Sequence, residues 1–290
     1  MTCIGLNAHC GFMRYPFSRL FACGSLIITS AVASGNAASL PSADGSVKMP
    51  VLAGRPVMDG VYLNGEGPFR FLIDTGAESN QVEASIARKI RLKATFRTEI
   101  DTITGGAVAA GGRVEKVTVG PATASGQEFL ITSLEAVHQL SPGIQGVLGQ
   151  EFLSRFDYLL DFSGRRIVFG AAHPDGGNRI TLNLIDRRPA IETDRGTLVI
   201  DSGSAVAILY ADPAGRSGER VFTAAGSGVV SRTWDLKLRL AGRAYNIIAA
   251  TVPHGSMREA GVLPASLFHS IYVSNSGKFL VLDPAARMGR

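Results

Sequence analysis

The sequence predicts an all-β protein built from a duplicated lobe, and three observations predict it. Among 290 residues there are 34 Gly and 13 Pro, a supply of turn formers that suits many short strands. Long Leu/Glu/Lys/Ala blocks are few, which argues against a helical bundle or coiled coil. One ordered set of short motifs occurs twice, once in each half of the chain, as expected of a duplicated lobe.

Composition narrows the partners. Apolar residues make up 46% and charged residues 18%, enough for a sizeable core and against wholesale disorder. The net charge of +5 comes from scattered residues. No run of five or more basic residues exists, so a nucleic-acid partner is not expected.

Residues 1–33 hold no acid and two arginines, Arg14 and Arg19, followed by an apolar run from Leu20 to Ala33. That run is too short to cross a bilayer comfortably. Small residues at Ala31-Val32-Ala33 and Asn36-Ala37-Ala38 suit cleavage of an export signal near residue 33 or 38. The expectation is a signal peptide over 1–38 and a periplasmic or secreted protein. The alternatives are an uncleaved anchor facing the periplasm from the inner membrane, or a buried helix of the fold. Cys3, Cys10 and Cys23 all lie in this leader. The mature chain would therefore have no disulfide, thiol nucleophile or zinc–thiolate site. It would carry 27 basic and 24 acidic residues, +3.

The repeat begins with Asp74-Thr75-Gly76 and Asp201-Ser202-Gly203. Each follows an apolar strand-like run, Phe69–Ile73 and Thr197–Ile200, and each run follows a turn signal, Asn64-Gly65-Glu66-Gly67 and Asp194-Arg195-Gly196. Further on, Gly146-Val147-Leu148-Gly149 recurs as Gly261-Val262-Leu263-Pro264. Short helices are expected next, Gln150–Leu153 and Ala265–Phe268. Turns at Ser163-Gly164 and Ser276-Gly277 then lead into strands Arg166–Phe169 and Phe279–Leu282. Between these landmarks lie two glycine-containing tips, Ile103-Thr104-Gly105-Gly106 and Thr223-Ala224-Ala225-Gly226. The boundary falls in the Gly/Pro-rich stretch Ala171 to Asn178, giving lobes over 39–174 and 175–290.

One Asp-(Thr/Ser)-Gly alone is a common turn, with Asp capping its own backbone. Two, each ending an apolar strand, suggest paired carboxylates facing across a two-fold axis. Such a pair cannot readily ionise twice and would share one proton. The ionised member can take a proton from water attacking a carbonyl carbon, while the protonated member donates to the carbonyl oxygen. No metal or cofactor is needed.

These residues resemble a bacterial retropepsin-like aspartic protease, with Phe69–Ala77, the Gly105-Gly106 tip and Gly146–Gly149 as one lobe and the second set as another. The resemblance spans about residues 50–284. It implies the bilobal acid-protease fold, with two similar closed-barrel-like lobes and a cleft between them, peptide-bond hydrolysis by an aspartate dyad, and inhibition by pepstatin-like compounds. It implies Asp74 and Asp201 as catalytic, and Thr75, Gly76, Ser202, Gly203 and Ser204 as their support. It also implies a substrate-binding flap at Thr104, Gly105 and Gly106, with Ala224 to Ser227, including Ala225 and Gly226, as its counterpart. The implied partner is a polypeptide substrate. With both half-sites in one chain a monomer is expected, touching a membrane only through an uncleaved leader.

Three departures from the family pattern stand out. Pro264 replaces the glycine that Gly149 supplies, so the loop behind Asp201 must be built differently. Ala77 and Ser204 differ, and a Ser204 hydroxyl bond to Asp201 would favour Asp201 as the ionised member. The second tip lacks the double glycine. Elsewhere, His138, His173, His254 and His269 are isolated, with no metal-site spacing. Trp234 is read as lobe packing, and Asn80 to Ile90 as one short helix with Val82, Ile86 and Ile90 inward. The expected function is therefore an exported aspartic endopeptidase. A catalytically silent peptide binder, favoured by Pro264, is the alternative, and a β-domain whose aspartates only cap turns is a third.

Overall fold

The computed structural model describes residues 45–102, 105–170, 176–211, 218–223, 226–231, 234–253 and 257–283. The leader and its three cysteines lie outside them, as do Thr104, Ala225, His173 and His254. The described chain is predominantly β-strand, with short helical turns.

In the first half, Asn64 and Gly65 take left-handed φ of 51° and 84° and reverse Arg55–Leu63 into Glu66–Ile73. This strand runs parallel to Gly146–Leu148, with Phe71 opposite Gly146 and Ile73 opposite Leu148. Gly146–Leu148 also pairs antiparallel with Asn80–Glu83, which is parallel to Ala122–Thr132. The long strand Gly105–Val119 joins Ala122–Thr132 to Phe96–Thr102 and returns to Arg55–Leu63 through Val61 and Val119. That last pairing closes the sheet on itself.

The second half repeats this order of pairings. Gly196–Asp201 runs parallel to Gly261–Pro264, with Leu198 opposite Gly261 and Ile200 opposite Leu263. Ala207–Tyr210 pairs antiparallel with Gly261–Pro264 and parallel with Arg243–Val252. The register makes Asp74 equivalent to Asp201, Asn80 to Ala207 and Gly149 to Pro264.

The halves meet in one antiparallel sheet. Its order is Ser46–Lys48, Arg166–Phe169, Tyr158–Asp161, Ser270–Ser274, Phe279–Leu282 and Asn178–Thr181. Three strands come from either side of the expected boundary, whose residues 171–175 are not described. The apolar alternation along these strands divides the core. One face feeds a continuous cluster through both halves, including Phe71, Phe129, Phe152, Ile200, Leu263 and Phe268. The other face builds a smaller cluster in each half, around Leu72 and Val147 and around Val199 and Val262.

Three expectations change. Asn80–Glu83 is a strand and the helix is only Ala84–Lys89, because Asn80 to Glu83 are drawn into the ladder beside Gly146–Leu148. Val82, Ile86 and Ile90 are nonetheless all buried. Gly105 and Gly106 are not a tip. They open the returning strand, opposite Thr102 and Asp101, and residues 103–104 lie outside the described residues. Gly226 likewise pairs with Thr223, and residues 224–225 lie outside the described residues.

Pro264 is the third. At the equivalent site Gly149 donates its N–H to Oδ1 of Asn80 at 3.1 Å. Proline has no N–H to donate, and the residue equivalent to Asn80 is Ala207, buried and without an acceptor. Donor and acceptor have been lost together, so no buried group is orphaned. In the first half the pair remains, and replacing only one partner should be costly. Asn80→Ala is expected to lower stability by about 1–3 kcal/mol, because the buried Gly149 N–H loses its acceptor. A urea midpoint unchanged from the wild type would contradict this.

Candidate active site

Strands Glu66–Ile73 and Gly196–Asp201 deliver Asp74 and Asp201 to the floor of one cleft of about 440 Å3. Four hydrogen bonds lock the following loops together. Thr75 Oγ1 donates to the Ile200 carbonyl at 2.6 Å and accepts the Ser202 N–H at 3.0 Å. Ser202 Oγ donates to the Ile73 carbonyl at 2.7 Å and accepts the Thr75 N–H at 3.0 Å. Both residues are buried, at 1% and 0% exposure. The network needs a hydroxyl at both positions, because each oxygen donates once and accepts once.

The glycines are dictated by the carboxylates opposite. A Cβ on Gly76 would lie 2.5 Å from Cγ of Asp201, and one on Gly203 would lie 2.5 Å from Oδ2 of Asp74. Each carboxylate thus occupies the space that a side chain on the other loop would take. Asp74 Oδ1 accepts the Gly76 N–H at 2.9 Å. Asp201 Oδ1 accepts the N–H groups of Gly203 at 2.7 Å and Ser204 at 3.0 Å.

The two carboxyl groups lie within hydrogen-bonding reach of each other. Burial, followed by the charge of Asp201, raises Asp74 well above the usual carboxylate range. Burial also raises Asp201. A hydrogen bond from Asp74, the Gly203 N–H, the charge of Arg55 and the Ser204 N–H oppose that rise. The pair therefore holds one proton over a range where separate carboxylates would be ionised, with Asp74 the better place for it.

Ser204 supports Asp201, but not as expected. Its hydroxyl donates to the Val206 carbonyl at 2.7 Å, and the bond to Asp201 comes from its backbone. The loop turns the side chain along its own chain. The group that sequence reasoning missed is Arg55. It is 2% exposed, and its Nε donates to the Gly203 carbonyl at 2.7 Å across the lobes. Asp201 and Asp74 are the charges acting on it, although burial still lowers its pKa to about 10. One signal could have found it: Arg55-Pro56 recurs as Arg188-Pro189 ahead of the second aspartate.

The cleft walls differ. Leu72, Leu130, Leu134, Val137, Leu140 and Val147 make an apolar wall in the first half. Thr98, Glu99 and Ile100 come from the outgoing strand of the first hairpin. The second half offers Ile208, Tyr210, Met257 and Val262 beside Arg188. Arg188 is held bidentately by the buried Glu259 at 2.9 and 3.1 Å. Of the histidines, His138 bonds the Ile144 carbonyl and His269 is exposed beside Asp283. Among the described residues no group of three or more His, Cys, Asp or Glu is placed to hold a metal.

Comparison with known proteins agrees with this geometry. A family model described as aspartyl protease matches residues 60–152, from within the strand Arg55–Leu63 to the helix Gln150–Leu153. The matched stretch is therefore similar to an aspartyl-protease lobe over the first half of the chain. A solved retropepsin-like aspartic protease from Rickettsia conorii aligns over 43% of this chain and 90% of its own. The identity is 19% and the TM-score 0.33. No curated protein matches the chain.

Two measurements test the site. Ser202→Ala leaves the Ile73 carbonyl and Thr75 N–H buried without their partner, and is expected to cost about 2–4 kcal/mol in urea unfolding. The second concerns pH. Carboxyls raised in the folded state keep a proton that the unfolded chain has lost above about pH 4. Wild-type stability should therefore fall as pH rises through the interval up to the raised pKa, then level off. Asp74→Asn should flatten that fall, and an unchanged slope would show that Asp74 does not hold the proton.

Proposed function

We propose that the chain is an exported aspartic endopeptidase in which Asp74 and Asp201 activate water against a peptide bond. The observation that carries this reading is the crossed Thr75/Ser202 network, which fixes two carboxylates face to face over each other's glycines. In the step proposed, Asp201 takes a proton from water as the oxygen bonds the carbonyl carbon. Asp74 passes its proton to the carbonyl oxygen, giving a neutral tetrahedral diol. Collapse of the diol returns a proton to the leaving nitrogen and breaks the C–N bond. The apolar wall from Leu72 to Val147 fits an apolar side chain beside the cut.

A silent peptide binder remains the alternative from the sequence, but its ground was Pro264. The paired loss of the Gly149-type donor and the Asn80-type acceptor leaves no hydrogen-bond partner orphaned at Pro264, which supports the first reading. Export rests on the leader, and among the described residues no helix is long and apolar enough to cross a membrane.

The test is cleavage of an unstructured peptide library across pH 3–7 by residues 39–290. Asp74→Asn and Asp201→Asn are each expected to abolish it. The rate should fall at low pH as Asp201 gains a proton and at high pH as Asp74 loses one. Cleavage persisting in both variants would rule out the dyad. A folded wild type that cleaves nothing would favour the binder.

A further inference from the structure

The Gly76 N–H that bonds Asp74 Oδ1 at 2.9 Å belongs to the same peptide unit as the Thr75 carbonyl. The other end of that unit is also held. Gln150 Nε2 donates to the Thr75 carbonyl at 2.9 Å, from a side chain in a residue only 1% exposed. The Thr75 oxygen can only accept, so the NH2 end of the amide must face it. The buried Tyr158 hydroxyl lies beside the same amide, on the strand that joins the two halves. Gln150 also gives its backbone N–H to the Ala77 carbonyl at 2.8 Å. One buried residue thus grips the first loop on both sides of Gly76.

The second half is built otherwise. Strand register makes Gly149 equivalent to Pro264, so Gln150 is equivalent to Ala265. Ala265 is fully buried and offers a methyl group in place of an amide. The Ser202–Gly203 unit still donates to Asp201 Oδ1, at 2.7 Å. Its loop is held one peptide further on, where Arg55 Nε bonds the Gly203 carbonyl at 2.7 Å.

We propose that Gln150 is a positioning residue for the first carboxyl, orienting the Thr75–Gly76 peptide so that its N–H stays on Asp74 Oδ1. This rests on the reading of Asp74 as one of the working pair. A peptide whose oxygen accepts a bond is polarised and donates more strongly through its nitrogen, so the amide both aims and strengthens the bond. Without it the peptide unit can turn, and Gly76 has no side chain to resist. Gln150 does not line the cleft, so its loss should affect the chemical step and not the hold on substrate.

The experiment follows amide hydrogen exchange in the full chain by NMR, read as the ratio of the Gly76 rate to the Gly203 rate. Each of these N–H groups bonds an aspartate of the pair, so Gly203 is a control within the same molecule. Gln150→Met keeps the length and bulk of the side chain but removes the donor. It is expected to raise the ratio about tenfold, the weight of one net hydrogen bond. For cleaved peptides kcat should fall by about the same factor, with KM unchanged. Gln150→Glu decides the matter if Gln150→Met does not fold. The introduced carboxyl can donate to the Thr75 carbonyl while protonated and repels it once ionised. The ratio should match the wild type at low pH and rise as that carboxyl loses its proton. The wild type at the same pH values accounts for titration of Asp74 and Asp201. Tyr158 stays neutral, its ionisation pushed far up by burial.

A ratio unchanged in Gln150→Met overturns the proposal, as does one that stays level with pH in Gln150→Glu where that variant decides. A residue that only stabilised the fold would speed both amides together and leave the ratio fixed. A kcat unmoved in a variant whose ratio rises also overturns it. The exchange measurement does not depend on turnover. If the ratio moves as stated while the wild type cleaves nothing, the protease reading fails and the hold of Gln150 on the loop stands. If both aspartates prove essential for cleavage but the ratio stays fixed, the reverse holds.

Discussion

Everything at the cleft depends on the crossed hydrogen bonds between Thr75 and Ser202. They join atoms 125 to 129 residues apart in the chain, and each hydroxyl is used twice. A loop carrying an acid at the end of a buried strand could swing outward to hydrate its charge. Here it cannot move without breaking bonds that belong equally to the other loop. The carboxylates are thus kept close despite their repulsion, and the resulting cost appears as a retained proton. Restraint of the backbone and perturbation of the acids are one effect seen at two places.

The two halves share a backbone plan but have parted in charge. At the turn before the first strand, Arg187 pairs with Glu151 across the lobes at 2.7 Å. The equivalent contact sets Gly54 near Ser266. Arg188 sits among carboxylates, while the place equivalent to Glu259 is the buried Ile144. At these equivalent positions, ion pairs stand at one place and neutral contacts at the other. A dimer of identical chains could not do this, since every substitution would appear twice. Within one chain each half-site can change alone.

Much of this was legible in the sequence because the repeat is written in residues with narrow steric or hydrogen-bonding roles. Asp-Thr-Gly and Asp-Ser-Gly mark their sites since no other residues meet both demands on hydroxyl and space. Gly146 and Gly261 mark the crossing strand for a similar reason. What stayed hidden depends on distant partners. Val82, Ile86 and Ile90 are spaced as on one helix face, so the sequence extends the helix back to Asn80, and only the flanking strands decide otherwise. The direction of the Ser204 hydroxyl is set by a carbonyl two residues on, which competes with the acid. Arg55 lies 19 positions before Asp74, and its bond runs to a carbonyl 148 residues away. Nothing local announces such a contact, although the repeated Arg-Pro was visible.

The sheet common to both halves also governs timing. Its central contact joins Tyr158–Asp161 to Ser270–Ser274, and the neighbouring strand runs to Leu282. Asp201 is itself steadied by Gly261–Pro264. As the chain leaves the ribosome, the first carboxylate is exposed long before these late strands exist. Until they arrive, Thr75 has no stable partner, and the emerging polypeptide holds half a site. A cleft assembled from the far end of its own chain is incomplete until the last strands are made.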